Sequence, residues 1–226
     1  MIKTTFAAAI LASLADAKTQ REWKERSVYQ IITDRFYNPK SPDVDCSNLS
    51  NYCGGTFNGI AMNLDYIQGM GFDAITISPI PTTGAGGYDG FGALDWEKVN
   101  PNFGTSEELT NLIQKCHEKD IWVMLDVVAN HSSELAKNYS DINPLNKAEY
   151  YNKQCKIVEG DQTSTEECWL SNHPDLNQEN KTVSAYLNSW VEQVVSHYDF
   201  DGVNIQAVNY VFKDFWPEYT KAAGVF

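Results

Sequence analysis

The sequence predicts an α/β fold built around a parallel sheet, and three observations carry this prediction. Short apolar runs alternate with longer segments whose apolar residues recur at helical spacing. The longest run, residues 121–128, is almost continuously apolar, as is typical of a parallel strand that is covered on both faces. The first three runs begin roughly 45 to 50 residues apart, whereas the fourth begins about 80 residues after the third. The extra length lies between His131 and Asn180 and predicts a small domain inserted after the third strand.

Four strands are predicted, over residues 27–32, 74–77, 121–128 and 203–208. The third contains one acid, Asp126, inside its apolar run, and Asn130 and His131 follow where this strand should end. A buried unpaired charge is costly, so we expect Asp126 to have a partner. Ligands of parallel α/β folds bind at the carboxyl ends of the strands, so we expect a functional site at this end of the sheet.

Helical spacing predicts a helix after each strand. The residues that define the four helices are Ile60, Leu64, Ile67 and Met70; Leu109, Leu112, Ile113 and Cys116; Val183, Leu187, Trp190, Val191, Val194 and Tyr198; and Pro217 with Gly224 at the two ends of the last. Gly71 is placed to end the first helix, and Thr105 with Glu108 predicts a capping box at the start of the second. The glycine-rich segment that precedes Thr105 and carries Tyr88 is predicted to be a long loop.

The composition describes an ordinary globular protein with an acidic excess. The chain has 226 residues, of which 42% are hydrophobic and 21% charged, and its formal net charge is −13. This length is enough to bury a sizeable core. The negative charge argues against nucleic acids and anionic membranes as partners, because both carry negative charge themselves.

Residues 1–17 have the pattern of a secretory signal peptide. Lys3 supplies positive charge, residues 6–14 form an apolar core too short to span a bilayer, and residues 15–17 have the small-x-small form of a cleavage site. The alternative is a short buried helix. A signal peptide predicts that the mature protein starts near Lys18 and is secreted to the extracellular space.

The five cysteines also fit a secreted protein. Cys46 lies close to Cys53 in sequence, and Cys155 lies close to Cys168, so each pair is predicted to close a short disulfide loop. Cys116 falls on the apolar face of the second helix and is predicted to be a buried free thiol. Three N-glycosylation sequons, which matter only in a secreted protein, begin at Asn48, Asn138 and Asn180.

Several long motifs resemble those of one enzyme family. They lie at residues 27–36 (SVYQIITDRF), 52–72, 126–131 (DVVANH) and 213–225. By these segments the chain resembles the α-amylase family of glycoside hydrolases, and most closely the secreted fungal-type α-amylases. The resemblance implies a partial (β/α) TIM barrel, about the first four βα units, with a small domain inserted after strand 3. Residues 18–131 and 181–226 would then belong to the barrel, and residues 132–180 to the inserted domain.

The resemblance implies a calcium ion and an α-1,4-glucan such as starch, glycogen or a maltooligosaccharide. The positions that match the calcium ligands are the side chains of Asn130 and Asp175 and the backbone carbonyls of Glu166 and Tyr210. All four are oxygen ligands, as calcium requires. The alternative is that Asn130 only caps a loop and Asp175 only caps a turn. Tyr88 matches an aromatic residue that stacks on a sugar ring, and His131 matches a residue that bonds a sugar hydroxyl; for Tyr88 the alternative is packing within its loop.

The resemblance breaks at the predicted fourth strand. Gln206 stands at the position of the family's nucleophilic aspartate, Asn204 at that of its arginine, and Tyr210 at that of its histidine. A neutral amide cannot form the glycosyl ester of a retaining glycosidase in the usual way. Asn204 and Gln206 together remove one cation and one anion, which leaves Asp126 to find another partner or a raised pKa.

The sugar-binding loop departs from the family pattern as well. Asp89, Phe91 and Gly92 stand where the family has histidine, tyrosine and tryptophan. The family's acid/base glutamate is also expected beyond Phe226, so the chain is predicted to be inactive in hydrolysis as written. The alternatives are a gene fragment and a non-catalytic carbohydrate-binding or interaction protein. The first and fourth strands would be open edges, which predicts self-association.

Overall fold

The computed structural model describes residues 18–40 and 46–226, so the predicted signal peptide lies outside the described residues. The strands are β1 (Val28–Ile31), β2 (Ala74–Ile77), β3 (Pro81–Thr83), β4 (Ala93–Val99), β5 (Trp122–Val128) and β6 (Gly202–Gln206). Four of them form one parallel sheet in the order β1-β2-β5-β6. This arrangement confirms the α/β class and the four predicted strands, and it places β1 and β6 at the two edges.

The fourth strand is shorter than predicted. It ends at Gln206, because Ala207 adopts the left-handed backbone conformation with a φ of 55°. A 3₁₀ turn, Val208–Tyr210, follows directly. Sequence periodicity extended the strand to Val208 because an apolar residue there continues the pattern. Gln206 therefore lies at the carboxyl end of β6, and the chain turns sharply after it.

The helices are α1 (Gln20–Trp23), α2 (Thr33–Phe36), α3 (Phe57–Met62), α4 (Leu64–Gly69), α5 (Ser106–Glu118), α6 (Gln162–Glu167), α7 (Lys181–Tyr198) and α8 (Trp216–Ala223). The first predicted helix is divided into α3 and α4 at Asn63, whose side chain donates to the Gly59 carbonyl at 2.8 Å. The capping box of α5 forms as predicted, with Thr105 Oγ1 accepting from the Glu108 amide at 3.2 Å. Gly224 ends α8 in the left-handed conformation.

An antiparallel hairpin stands where the sequence predicted a loop. Strands β3 and β4 pair across residues 84–92. The proline in β3 and the glycines between the strands are typical of turns and loops, so the sequence pattern did not predict this pair of strands. Asn143 of the inserted segment docks on β4: its amide donates to the Leu94 carbonyl at 2.7 Å, and its carbonyl accepts from the Trp96 amide at 3.1 Å. The hairpin therefore joins the inserted segment to the sheet.

The largest apolar core lies between the sheet and its helices. Ile75, Val123 and Val127 point to it from the strands, and Leu112 and Leu187 pack against it from α5 and α7. Such a core follows from the near-continuous apolar runs of the strands. No helix in the described part of the chain has both the length and the apolar character needed to cross a bilayer.

A second, smaller cluster closes the amino-terminal end of the sheet. The Trp23 ring contacts Trp122 edge-on at 5.1 Å and stacks on Phe226 at 6.0 Å between centroids. Phe226 also extends the sheet locally, since its carbonyl accepts from the Val203 amide at 2.7 Å. Both predicted disulfides form, between Cys46 and Cys53 and between Cys155 and Cys168.

Cys116 is the free, buried cysteine that the sequence predicted. Burial raises the pKa of its thiol to about 12. A thiol with this pKa is almost fully protonated at neutral pH and therefore unreactive.

His117 ties α5 to the start of β6. Its Nε2 lies 2.9 Å from Asp201 Oδ2, which also accepts from the Val123 amide at 2.8 Å. Asp199 lies on the other side of the ring, 3.6 Å from Nδ1. The hydrogen bond to Asp201 is the main cause of a raised pKa for His117, and burial opposes it.

We expect the free energy of unfolding to fall as the pH rises past neutrality. A histidine whose pKa is raised by folding stabilises the native state, and this contribution is complete below the unfolded-state pKa of about 6.5. The contribution is lost as the pH rises through the folded-state pKa. His117→Gln should flatten this dependence in urea denaturation between about pH 5.5 and 8.5. His197→Gln, at an exposed position of α7, is the control and should keep the wild-type slope. Equal slopes for wild type and His117→Gln would contradict this role.

Candidate functional site

The candidate site is centred on Asp126, which is fully buried in β5. Asn204 lies directly opposite it in β6, and Gln206 lies two residues further along the same face. The Asn204 Nδ2 donates to Asp126 Oδ1 at 2.6 Å, and the Gln206 Nε2 donates to the same oxygen at 3.1 Å. Asn204 and Gln206, which the resemblance places at the arginine and nucleophile positions, are therefore the partners that Asp126 was expected to need.

Burial dominates the electrostatics of Asp126. It raises the pKa of the carboxyl group, and the hydrogen bonds from Asn204 and Gln206 oppose the rise only in part. The second oxygen, Oδ2, is buried and makes no hydrogen bond with the residues that the structure describes. Among residues 18–40 and 46–226, no cation offsets the charge of an ionised Asp126, so these surroundings favour its neutral form.

Asn130 organises a second polar cluster, just beyond β5. Its Nδ2 donates to Asp175 Oδ1 at 2.7 Å and to the Tyr210 carbonyl at 2.9 Å. Asn152 donates to the other Asp175 oxygen at 2.8 Å. The backbone of the segment that follows Asp175 also contacts Asn130, because the Leu176 amide donates to the Asn130 carbonyl at 2.8 Å. Three of the four residues predicted to bind calcium, Asn130, Asp175 and Tyr210, are thus in contact.

Asp175 is a buried carboxyl group held by neutral amides. Burial is the largest influence on it and raises its pKa to about 7, against the hydrogen bonds from Asn152 and Asn130. A cation would relieve this penalty, and the oxygen donors gathered here are those that calcium prefers. The cluster therefore fits a hard cation through its oxygens, although the described residues contain no group of three or more His, Cys, Asp and Glu side chains at metal-binding range.

Glu166 is the fourth predicted ligand, and it lies in α6, which packs against the 3₁₀ turn of Tyr210. Its side chain accepts from Gln162 within the same helix at 2.7 Å. It lines a cavity of about 220 Å³ together with Asn152 and Gln178. Glu166 is therefore next to the Asn130 cluster, and its side chain is directed to its own helix.

His131 is 5% exposed and is held by the same network. Its Nδ1 lies 2.9 Å from Asn130 Oδ1, and its ring lies 4.4 Å from that of His173. Burial, and next the neighbouring His173, lower its pKa to about 3, while the backbone of Phe91 acts in the opposite direction. His131 is therefore a neutral imidazole whose Nδ1–H faces Asn130, which leaves Nε2 as the acceptor.

Tyr88 is half-buried, and one face of its ring is covered. The Arg35 guanidinium carbon lies 3.7 Å from the centroid of the Tyr88 ring. Beyond it in the loop, Gly92 lies against Ser133: a Cβ on Gly92 would stand 3.2 Å from the Ser133 Cα. A tryptophan could not replace Gly92 without moving that backbone, so the loop is built differently from the family pattern.

Sequence reasoning missed the residues that support these clusters. Asn152 and Gln178 lie in polar segments without periodicity, and Gln178 donates to the Ala129 carbonyl at 2.8 Å across the chain. Arg35 lies within the family's first-strand motif, which gives no sign of its contact with Tyr88. The only available signal was chemical, since a buried polar group such as Asp175 requires donors nearby.

We expect the two amide positions to be coupled through Asp126. Gln206→Asp alone places a second carboxylate beside Asp126 and should lower the free energy of unfolding by about 1–3 kcal/mol at pH 7. Asn204→Arg in the same chain supplies a cation between the two acids and should recover most of that loss. Urea denaturation of both single variants and the double variant measures the coupling.

Gln193→Asp, at an exposed position of α7, is the matched control. It should change the free energy of unfolding by no more than about 0.5 kcal/mol. A double variant whose loss equals the sum of the two single losses would contradict the coupling.

Comparison with known proteins gives one consistent family. Residues 30–224 match the model of the alpha amylase catalytic domain. Alpha-amylase 1 of Schizosaccharomyces pombe is 39% identical over 228 residues, which cover 93% of this chain and 36% of that protein. Alpha-amylase 2 of Schwanniomyces occidentalis is 39% identical over 231 residues, covering 94% of this chain and 45% of that protein. The chain spans less than half the length of these relatives.

Solved structures agree. An alpha-amylase from Malbranchea cinnamomea has a TM-score of 0.88 and 39% identity, over 92% of this chain and 48% of its own. The alpha-amylase of Geobacillus thermoleovorans, solved as a complex with acarbose, has a TM-score of 0.82 and 36% identity, over 89% of this chain and 44% of its own. The sheet order is thus that of part of a (β/α) barrel, and the chain belongs to the α-amylase family of glycoside hydrolases.

Proposed function

We propose that the chain binds α-1,4-glucans at the carboxyl ends of its strands and does not hydrolyse them by the retaining mechanism of its family. One observation carries the proposal: the strand end to which the family resemblance assigns the nucleophile presents Gln206, whose amide is bonded to Asp126. Retaining hydrolysis requires a carboxylate there. A neutral amide supplies neither the nucleophile nor the negative charge that stabilises an oxocarbenium-like transition state.

Asp126 does not substitute for the missing nucleophile. It is fully buried, one of its oxygens is occupied by Asn204 and Gln206, and burial favours its neutral form. A nucleophilic carboxylate must be ionised and must reach the anomeric carbon. The loss of transition-state stabilisation amounts to several kcal/mol, on the order of a thousandfold in rate or more.

The proposed sugar site is polar, uncharged and partly aromatic. We assign the half-buried amides of Asn204 and Gln206 to its floor, and neutral His131, which follows β5, as a further hydrogen-bonding group. Tyr88 offers the ring face that Arg35 does not cover. Amides and aromatic rings are the groups that bind a neutral, hydroxyl-rich ligand. The related Geobacillus thermoleovorans enzyme was solved with acarbose bound, which supports a saccharide as the ligand class.

Secretion is part of the same proposal. The two disulfides, Cys46–Cys53 and Cys155–Cys168, support it because disulfides persist in oxidising compartments.

We expect the purified chain to bind maltoheptaose and to release no reducing ends from starch. Tyr88→Ala should weaken binding roughly three- to tenfold, because it removes an aromatic contact surface. Isothermal titration calorimetry measures the binding, and a reducing-sugar assay measures the hydrolysis.

Tyr66→Ala, at a surface tyrosine of α4, is the control and should bind as wild type does. Gln206→Asp is the comparison for hydrolysis. Release of reducing ends by the wild-type chain would contradict the inactive part of the proposal, and failure to bind maltoheptaose would contradict the binding part.

We further propose that calcium is held by the Asn130 and Asp175 side chains with the carbonyls of Glu166 and Tyr210. The support is the convergence of Asp175 and the Tyr210 carbonyl on Asn130, together with the raised pKa of Asp175. When bound, such an ion would join the inserted segment to the ends of β5 and β6 and would favour the ionised form of Asp175.

We expect calcium to raise the melting temperature, and to raise it more at pH 8 than at pH 6. Protons compete with the ion because the pKa of Asp175 is about 7 without it. Differential scanning fluorimetry with calcium or a chelator measures the effect. Asp175→Asn should abolish the response, whereas Glu134→Gln, at an exposed position of the inserted segment, should retain it. An unchanged calcium response in Asp175→Asn would exclude this site.

A further inference from the structure

Arg35 makes several polar contacts and one ring contact, and its ring partner, Tyr88, belongs to the proposed sugar site. It belongs to α2, shortly after β1, and its guanidinium carbon lies over the Tyr88 ring, 3.7 Å from the ring centroid. A cation at this distance from a ring centroid is attracted by the negative face of the ring. Arg35 therefore occupies one face of the Tyr88 ring.

The guanidinium is fixed by contacts with the loop that the first disulfide closes. Its Nη2 donates to the carbonyls of Leu49 and Asn51 at 2.7 and 3.0 Å. Its Nη1 approaches the two sulfurs of the Cys46–Cys53 disulfide at 3.0 and 2.8 Å. These contacts hold the plane of the guanidinium in one orientation, as a forked planar donor allows.

Asp34 completes this arrangement from the buried side. Its Oδ2 lies 3.1 Å from Arg35 Nε, and its carboxylate accepts from the amides of Cys53 and Gly54 at 2.8 and 3.0 Å. Asp34 is 1% exposed, so this pair is shielded from solvent. The carboxylate of Asp34 thus neutralises the charge of Arg35. The contact with the Tyr88 ring is made in addition to this ion pair.

The loop of Tyr88 is held from its other side by a separate network. The Gly87 carbonyl accepts from Tyr52 Oη at 3.0 Å and from Thr83 Oγ1 at 2.7 Å. Asn100 donates to Tyr52 Oη at 3.1 Å. The backbone just before Tyr88 is therefore fixed by this network, whereas Arg35 contacts the ring itself.

We infer that Arg35 is a positioning residue for a saccharide platform formed by Tyr88. The inference rests on the proposed glucan binding and adds the group that orients its aromatic contact. Glycine-rich neighbours surround Tyr88 at Gly84, Gly86, Gly87 and Gly90. Without Arg35 the ring would sample several orientations, and a sugar would have to order it on binding.

Arg26 provides a matched arginine at the opposite end of the sheet. Its guanidinium carbon lies 4.0 Å from the Trp122 ring centroid, and its Nη2 lies 3.2 Å from Asp120 Oδ1. It combines a ring contact with a carboxylate partner, as Arg35 does. Its ring, however, belongs to the amino-terminal end of the sheet, away from the site. A substitution at Arg26 therefore reports the general cost of losing such a contact.

The test compares maltoheptaose binding by Arg35→Met, Arg35→Lys, Tyr88→Ala and the double variant Arg35→Met/Tyr88→Ala, using titration calorimetry on the full chain. Arg35→Met should raise the Kd roughly two- to thirtyfold. Arg35→Lys keeps a cation and should recover part of the affinity, and it replaces Arg35→Met if that variant does not fold. Arg26→Met should lower the melting temperature and leave the Kd unchanged.

Non-additivity is the decisive result. If Arg35 acts through Tyr88, the double variant should bind no more weakly than Tyr88→Ala alone. Wild-type affinity in folded Arg35→Met, together with weak binding by Tyr88→Ala, would overturn this inference and leave the proposed glucan binding intact. Wild-type affinity in Tyr88→Ala would overturn the role of Tyr88 and with it this inference, but not glucan binding itself. No binding by the wild-type chain would overturn both proposals.

Discussion

The arrangement of the carboxyl end of the sheet depends on one buried carboxyl group. Asp126 lies inside an apolar strand, where an unpartnered charge is costly, and both of its hydrogen-bond donors come from the neighbouring strand β6. Asn204 and Gln206 are neutral, so they satisfy one oxygen without supplying a charge. The register between β5 and β6 therefore positions the site and sets its chemistry, because it determines which side chains face Asp126.

This dependence explains why the two changes from the family pattern occur together. A chain with Gln206 and an arginine at position 204 would keep a cation without its second acid, and a chain with an aspartate at 206 and Asn204 would bring two acids together. Neutral amides at both positions avoid both penalties, and the fold tolerates the change. Under the proposed function, the chain keeps the scaffold of its family without the charge that retaining hydrolysis requires.

The sequence predicted what depends on local pattern and failed where distant segments meet. Apolar runs and capping residues predicted the four parallel strands and α5, because burial and capping act within a few residues. The β3–β4 hairpin was not predicted, because its proline and glycines are typical of a loop. The need of Asp126 for a partner was foreseeable, and its partners became identifiable only through strand register. The contact of Arg35 with Tyr88 joins residues far apart in sequence and leaves no pattern at all.

Asp126 and Asp175 lie in similar surroundings, and we propose different roles for them. Both acids are buried, both are bonded by side-chain amides, and burial raises the pKa of each. Around Asp126 the neighbours are neutral hydrogen-bond donors, and burial favours the protonated, uncharged carboxyl group. Around Asp175 a backbone carbonyl and the Asn130 amide lie at the same point, and an amide can turn its oxygen toward a cation. The number of oxygen atoms that can face the acid, more than its burial, therefore decides whether a buried carboxyl group is suited to hold a metal ion.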